Sequence, residues 1–104
     1  SYAELQRRID RAFQVKNALK YAYHQISEEN YALALEACNV ALEQYPVYQS
    51  YTHRLKGELL VKVGHYKEAE LLYTQVLAFR DLPWAKLGLA VSLSKASAAA
   101  STRL

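Results

Sequence analysis

The chain has 104 residues, 52% of them hydrophobic, and a formal net charge of +3. That length holds one modest domain, and that apolar content excludes overall disorder. A charge this small does not by itself argue for nucleic acid. The single cysteine excludes an internal disulfide and fits a reducing, cytoplasmic compartment. No apolar run approaches the ~20 residues of a membrane span, so no membrane partner is expected. Three glycines and two prolines leave room for long uninterrupted helices.

The first segment, "SYAELQRRIDRAF", is charged, amphipathic and without an apolar signal core. It starts in mid-pattern, as in a piece of a longer protein. Leu5, Ile9, Ala12, Phe13, Lys16, Leu19, Tyr23 and Ile26 recur at spacings of three and four. No breaker interrupts Tyr2 to Ile26, so the spacing predicts one long helix. Residues 1–14 form its extension or linker, and residues 15–104 form the domain. A turn follows at Ser27–Asn30, with Asn30 expected to cap the next helix. Tyr31–Gln44 is the second helix, ended by Pro46, which disfavours helix in the residue before it. Tyr48–Val63 is the third, closed by Gly64. Tyr66–Arg80 is the fourth. Pro83 opens a fifth at its first turn, where a missing N–H costs nothing.

The helices repeat. "NYALALEACNVALEQYP" aligns with "HYKEAELLYTQVLAFRD" 35 positions later (30 to 65). Tyr31 falls on Tyr66, Ala34 on Ala69, Cys38 on Tyr73, Ala41 on Val76 and Leu42 on Leu77. Upstream, Ala22 falls on Gly57. The repeat is therefore a helix pair, and its units span about 15–49, 50–80 and a partial 81–96. Small residues at Ala22, Ala34, Gly57, Ala69 and Gly88 let helix backbones approach closely. One pair has too little apolar surface alone, so neighbours are expected to stack.

A helix-pair repeat of this period, with these residues, resembles the tetratricopeptide family. Ala34-x3-Cys38 with Ala41 and Pro46 matches the second half of the family pattern. Ala69-x3-Tyr73 with Val76 matches it again. Trp84-x2-Leu87-Gly88-x2-Val91 matches the first half. The resemblance covers about Val15 to Leu93 and implies an all-α fold of about five helices. Antiparallel helix pairs would stack as a right-handed α-solenoid. Departures fall at single positions: Ala18, Tyr21, Ala22 and Gln25 replace Trp, Leu, Gly and Tyr, and Cys38 replaces an aromatic. Unit two is short at its end, because Trp84 follows its counterpart His53 by only 31 residues (53 to 84). The phrases "LKGELLVKVGHYKEAELLYTQVL" and "PWAKLGLA", behind a long helix, are also similar to bacterial response regulators with such repeats. That likeness implies an output domain in signal transduction.

No catalytic pattern emerges, and the expectation is that the chain is not an enzyme. His24, His53 and His65 have no metal-ligand spacing with one another or with Cys38. His53 stands where the family has tryptophan and is expected to pack. Cys38 lies on an apolar helix face, where burial raises a thiol's pKa. Glu28 and Glu29 read as solvated turn residues. Three isolated glycines make no phosphate loop. No catalytic, cofactor-binding or metal residue is assigned, and no cofactor is expected.

Binding is the better-supported class. In stacked helix pairs the first helices line a concave groove. The resemblance implies groove positions at Lys16, Leu19, Tyr23 and Ile26, then Tyr51, Arg54, Glu58 and Val61, then Leu82, Ala85 and Leu89. Of these, Lys16, Tyr23, Tyr51, Arg54, Glu58 and Leu89 are the leading candidates for binding a partner peptide or helix, tyrosine and arginine being common interface anchors. The alternative for Tyr23 and Tyr51 is shielding of the core, and for Lys16 and Arg54 simple solvation. The carboxylate clamp known in the family is not carried over, because Tyr23 and Glu58 stand where it needs asparagine and Glu58 repels a carboxylate. A second reading is a homodimer or scaffold through the uncapped last helix, at Leu87, Leu89, Val91 and Leu93, or through Leu5, Ile9 and Phe13. RNA or DNA binding is disfavoured, since acids interleave the basic residues.

Overall fold

The computed structural model describes residues 1–45 and 48–101. Five helices follow in order: α1 Tyr2–Ser27, α2 Tyr31–Gln44, α3 Ser50–Lys62, α4 Tyr66–Phe79 and α5 Pro83–Ser101. The described residues contain no strand. The sequence placed these helices to within two residues at the ends it specified, and the long first helix is continuous. Pro46, expected to end the second helix, lies outside the described residues. The fifth helix runs to Ser101, beyond the 81–96 expected of a partial unit. Its continuation, "SKASAAAS", consists of small residues and helix formers, which extend a helix once it has begun.

The chain divides into two compact units, Ser1–His53 and Arg54–Leu104. In the first, α1 packs against α2. Ala22, Ala34, Cys38 and Ala41 have no exposed surface, so the two backbones meet through small side chains. Gln49 organises the approach to α3. Its amide donates to the carbonyls of Ala41 (3.3 Å) and Tyr45, which lie in the last turn of α2 and just beyond it. Its side-chain oxygen accepts from Thr52 Oγ1 at 2.8 Å. His53 is half-buried, accepts the Gln49 N–H at 3.0 Å and lies 5.2 Å from the Tyr48 ring. It therefore sits in a packed, hydrogen-bonded place.

In the second unit the buried residues are Gly57, Leu59 and Leu60 on α3, Ala69, Leu72, Tyr73 and Val76 on α4, and Ala85 and Ser92 on α5. Ser92 is satisfied within its own helix, donating to the Gly88 carbonyl at 2.8 Å.

The 35-residue offset is visible in the backbone itself. Past α1, Glu29 adopts φ +60°, Asn30 N–H donates to Gln25 O (2.8 Å) and Glu29 N–H donates to Ile26 O (3.0 Å). Past α3, Gly64 adopts φ +85°, His65 N–H donates to Leu60 O (2.8 Å) and Gly64 N–H donates to Val61 O (3.1 Å). Both turns carry the paired hydrogen bonds of a Schellman close. Glu29 thus occupies a left-handed position that Gly64 fills without steric cost. The residues that end α2 and α4, Tyr45 and Arg80, share φ −144° but differ in ψ, at 86° and 136°.

Asn30 departs from expectation. It stands at the N-terminal cap of α2, but its side chain makes no capping bond. Its amide donates instead to Gln25 Oε1 at 3.0 Å. The Schellman close fixes Asn30's backbone, and at φ −90°, ψ 70° its side chain turns back to α1.

Candidate partner-binding groove

The second unit carries an open groove of about 230 Å³. Arg54, Glu58 and Val61 of α3 form one wall, each one helical turn from the next. Trp84, Leu87 and Val91 of α5 form the other at spacings of three and four. Pro83 sets the start of that wall, since α5 begins at the proline and Lys86 N–H closes on Leu82 O at 3.1 Å.

The floor is Tyr73, only 2% exposed. Its ring occupies the space where Gly57 and Gly88 lack side chains. A Cβ on Gly57 would lie 2.6 Å from Tyr73 Cζ and Oη, and one on Gly88 would overlap the ring outright. Two helices therefore reach the ring only because both carry glycine there. At Gly88 the close approach is to α4, whose Tyr73 fills the adjoining space. The ring meets Trp84 edge-on, with centroids 6.3 Å apart and planes at 68°.

The polar part of the groove is a small charged rim. Arg54 Nε donates to Glu58 Oε1 at 3.3 Å, and the guanidinium lies 5.8 Å from the centre of the Trp84 ring. Both charged side chains remain more than half exposed, so the pair itself adds little stability. Its role is positional, because stacking and pairing hold Arg54 over the tryptophan face. Burial raises the Tyr73 hydroxyl pKa above 10.0; the Glu58 carboxylate adds to the rise and Arg54 opposes it. Tyr73 therefore stays neutral at physiological pH and offers the groove a polar group without charge.

Among the groove positions implied by the sequence, Arg54, Glu58 and Val61 are brought together here. Ala85 is completely buried and faces the core, contrary to its expected place in the groove. Leu89 is half-buried and does not line the groove. Both sit on the α5 face that also holds Gly88 and Ser92, three and four residues apart, and that face packs inward. Leu87 and Val91, read as self-association positions, line the groove. Leu87 is 68% exposed. Leu93 is exposed on α5 but lies outside the groove. Lys16, Tyr23 and Tyr51 belong to the first unit, where all three are exposed.

Tyr73 and Trp84 were not singled out as binding residues from sequence. Their signal was present in the two glycines, which mark where a large neighbour enters. Among the described residues no cluster of three or more His, Cys, Asp or Glu side chains could hold a metal ion, and no helix is long and apolar enough to cross a membrane. Comparison of the chain with protein-family models, with curated proteins and with solved structures found no match.

Proposed function

We propose that the chain is a protein-interaction module that takes a partner peptide or helix in the groove of its second unit. One observation carries this reading: an open apolar groove with a buried tyrosine floor, a tryptophan wall and a fixed Arg54–Glu58 rim. Exposed aromatic and aliphatic groups beside a stacked arginine are the composition of interface anchors. The repeated helix pair supports a tetratricopeptide-like module, with the pairs stacked as a solenoid. The phrases around Gly57 and Trp84 support an output role in bacterial signal transduction, in the cytoplasm. On this reading the chain performs no catalysis and holds no cofactor.

The test is selection of binding peptides from a displayed library on the whole chain, followed by titration of the selected peptide. Leu87→Asp places a charge on the apolar wall and should weaken binding at least ~30-fold, about 2 kcal/mol. Because Leu87 is exposed, melting should be nearly unchanged. Unchanged affinity for Leu87→Asp would refute the groove as the site. Exposure of Leu87, Val91 and Leu93 also favours a second reading, a homodimer through α5. Sedimentation decides it, since a monomer at high concentration removes that reading.

A further inference from the structure

The floor of the groove holds a polar group that the chain leaves unbonded. Tyr73 is 2% exposed, yet among the described residues its hydroxyl makes no hydrogen bond. Every fully buried side-chain oxygen or nitrogen among them does have a partner. The Tyr73 oxygen therefore keeps what exposure the residue has, and it opens into the groove that Tyr73 lines. Gly57 and Gly88 close on the ring from α3 and α5, so the hydroxyl cannot move to another partner. A nearly buried hydroxyl held without a bond is unfavourable until something in the groove meets it.

The rim adds two more unused groups. Arg54 donates from Nε to Glu58 Oε1, and its terminal N–H groups make no hydrogen bond among the described residues. The other Glu58 oxygen is also unused there. Both side chains lie close enough to shift the Tyr73 hydroxyl, in opposite directions. An occupant that reaches the floor thus meets O–H and N–H donors beside a carboxylate acceptor, with no net charge. A carboxylate on the partner would meet repulsion from Glu58, and an ammonium or guanidinium would meet it from Arg54. A carboxamide is neutral, with a carbonyl that accepts and an NH2 that donates. Glutamine carries that group on two methylenes, which suit the apolar wall of Leu87 and Val91. A single side chain enters between walls that would hold off a main chain with side chains of its own.

We propose that the partner is a protein segment anchored in this groove by a glutamine side chain. Its carbonyl accepts from the Tyr73 hydroxyl and from Arg54, and its NH2 donates to Glu58. The proposal rests on the groove being the partner site, and it names the chemistry that the site selects. A site built to bond a polar group rejects the analogue that lacks it, because its own buried group is then left unpaired.

The test selects peptides from a displayed library on the whole chain and titrates the selected peptide beside its variants. Glutamine should dominate one position between apolar residues. Replacing it by leucine or glutamate should weaken binding at least ~10-fold. Tyr73→Phe removes only the unbonded hydroxyl, so melting should hold while the glutamine peptide binds at least ~5-fold more weakly. To Tyr73→Phe the leucine peptide should bind at least as tightly as the glutamine peptide, since that floor is wholly apolar. Glu58→Gln should bind the glutamate peptide at least ~10-fold tighter than the parent chain does. Selection without glutamine, or with an acid, a base or a tyrosine at the anchor position, overturns the proposal. If Leu87→Asp abolishes binding while Tyr73→Phe binds every peptide as the parent does, the groove stands and the glutamine anchor falls. Weakening by Tyr73→Phe with no preference for glutamine makes the main chain the source and also overturns it. Binding that ignores Leu87→Asp removes the groove itself, and the anchor with it.

Discussion

Gly88→Ala should destabilise the protein, against the ordinary sign for that change in a helix. In an unobstructed helix interior, alanine in place of glycine stabilises by about 1 kcal/mol. Here the new methyl group overlaps the Tyr73 ring. The ring cannot retreat, because a position 2.6 Å from its Cζ and Oη is already that of the Gly57 side-chain direction, and Tyr73 is only 2% exposed. Overpacking costs about 1–3 kcal/mol, and a planar ring held from both sides puts this case at the upper end. The net expectation is a loss of about 2 kcal/mol. At roughly 4–8 °C per kcal/mol for a domain of this size, the melting temperature should fall by about 10 °C. Urea denaturation of the single variant, of Tyr73→Leu and of the double variant gives the coupling. On the Tyr73→Leu background the alanine should return to stabilising by about 1 kcal/mol. A Gly88→Ala protein that melts higher than the parent would refute the sandwiched ring.

Glu29→Gly should stabilise by about 0.5 kcal/mol, since relief of a left-handed backbone outweighs the added unfolded-state entropy. Gly64→Ala, at the equivalent turn, should cost about 1 kcal/mol, and both follow from denaturant midpoints. Tyr73 has a folded pKa raised above 10.0, so its contribution is complete below about pH 10 and is lost as pH rises through the folded value. Stability should therefore fall on the alkaline side, and Tyr73→Phe should flatten that fall. Cys38 has no exposed surface, so a thiol reagent should label it only at the rate of opening, and denaturant should accelerate labelling.

Much of the helix plan could be read from the chain because its signals are local. Gly64 and Pro83 mark boundaries through backbone geometry, and the alignment of Ala34 with Ala69 needs no tertiary knowledge. The same reasoning failed where two elements compete for a residue. Asn30 is a good capping residue by type, yet the Schellman turn sends its side chain to Gln25. Ala85 and Leu89 were assigned to a groove by their matching positions in the family pattern. Rotation of α5 about its axis, fixed by the Tyr73 ring on Gly88, turns Ala85 inward, leaves Leu89 half-buried and brings Leu87 and Val91 to the groove. That rotation depends on a side chain fifteen residues away (73 to 88).

The emission of Trp84 is the most direct test of the groove. It is the only tryptophan in the chain and forms part of the groove wall. Titration with a selected partner peptide lacking tryptophan should shift its emission to shorter wavelength, saturating at the affinity found by calorimetry. Leu87→Asp should abolish the shift and the binding heat together. Calorimetric binding with Trp84 emission unchanged would place the partner elsewhere and contradict the account.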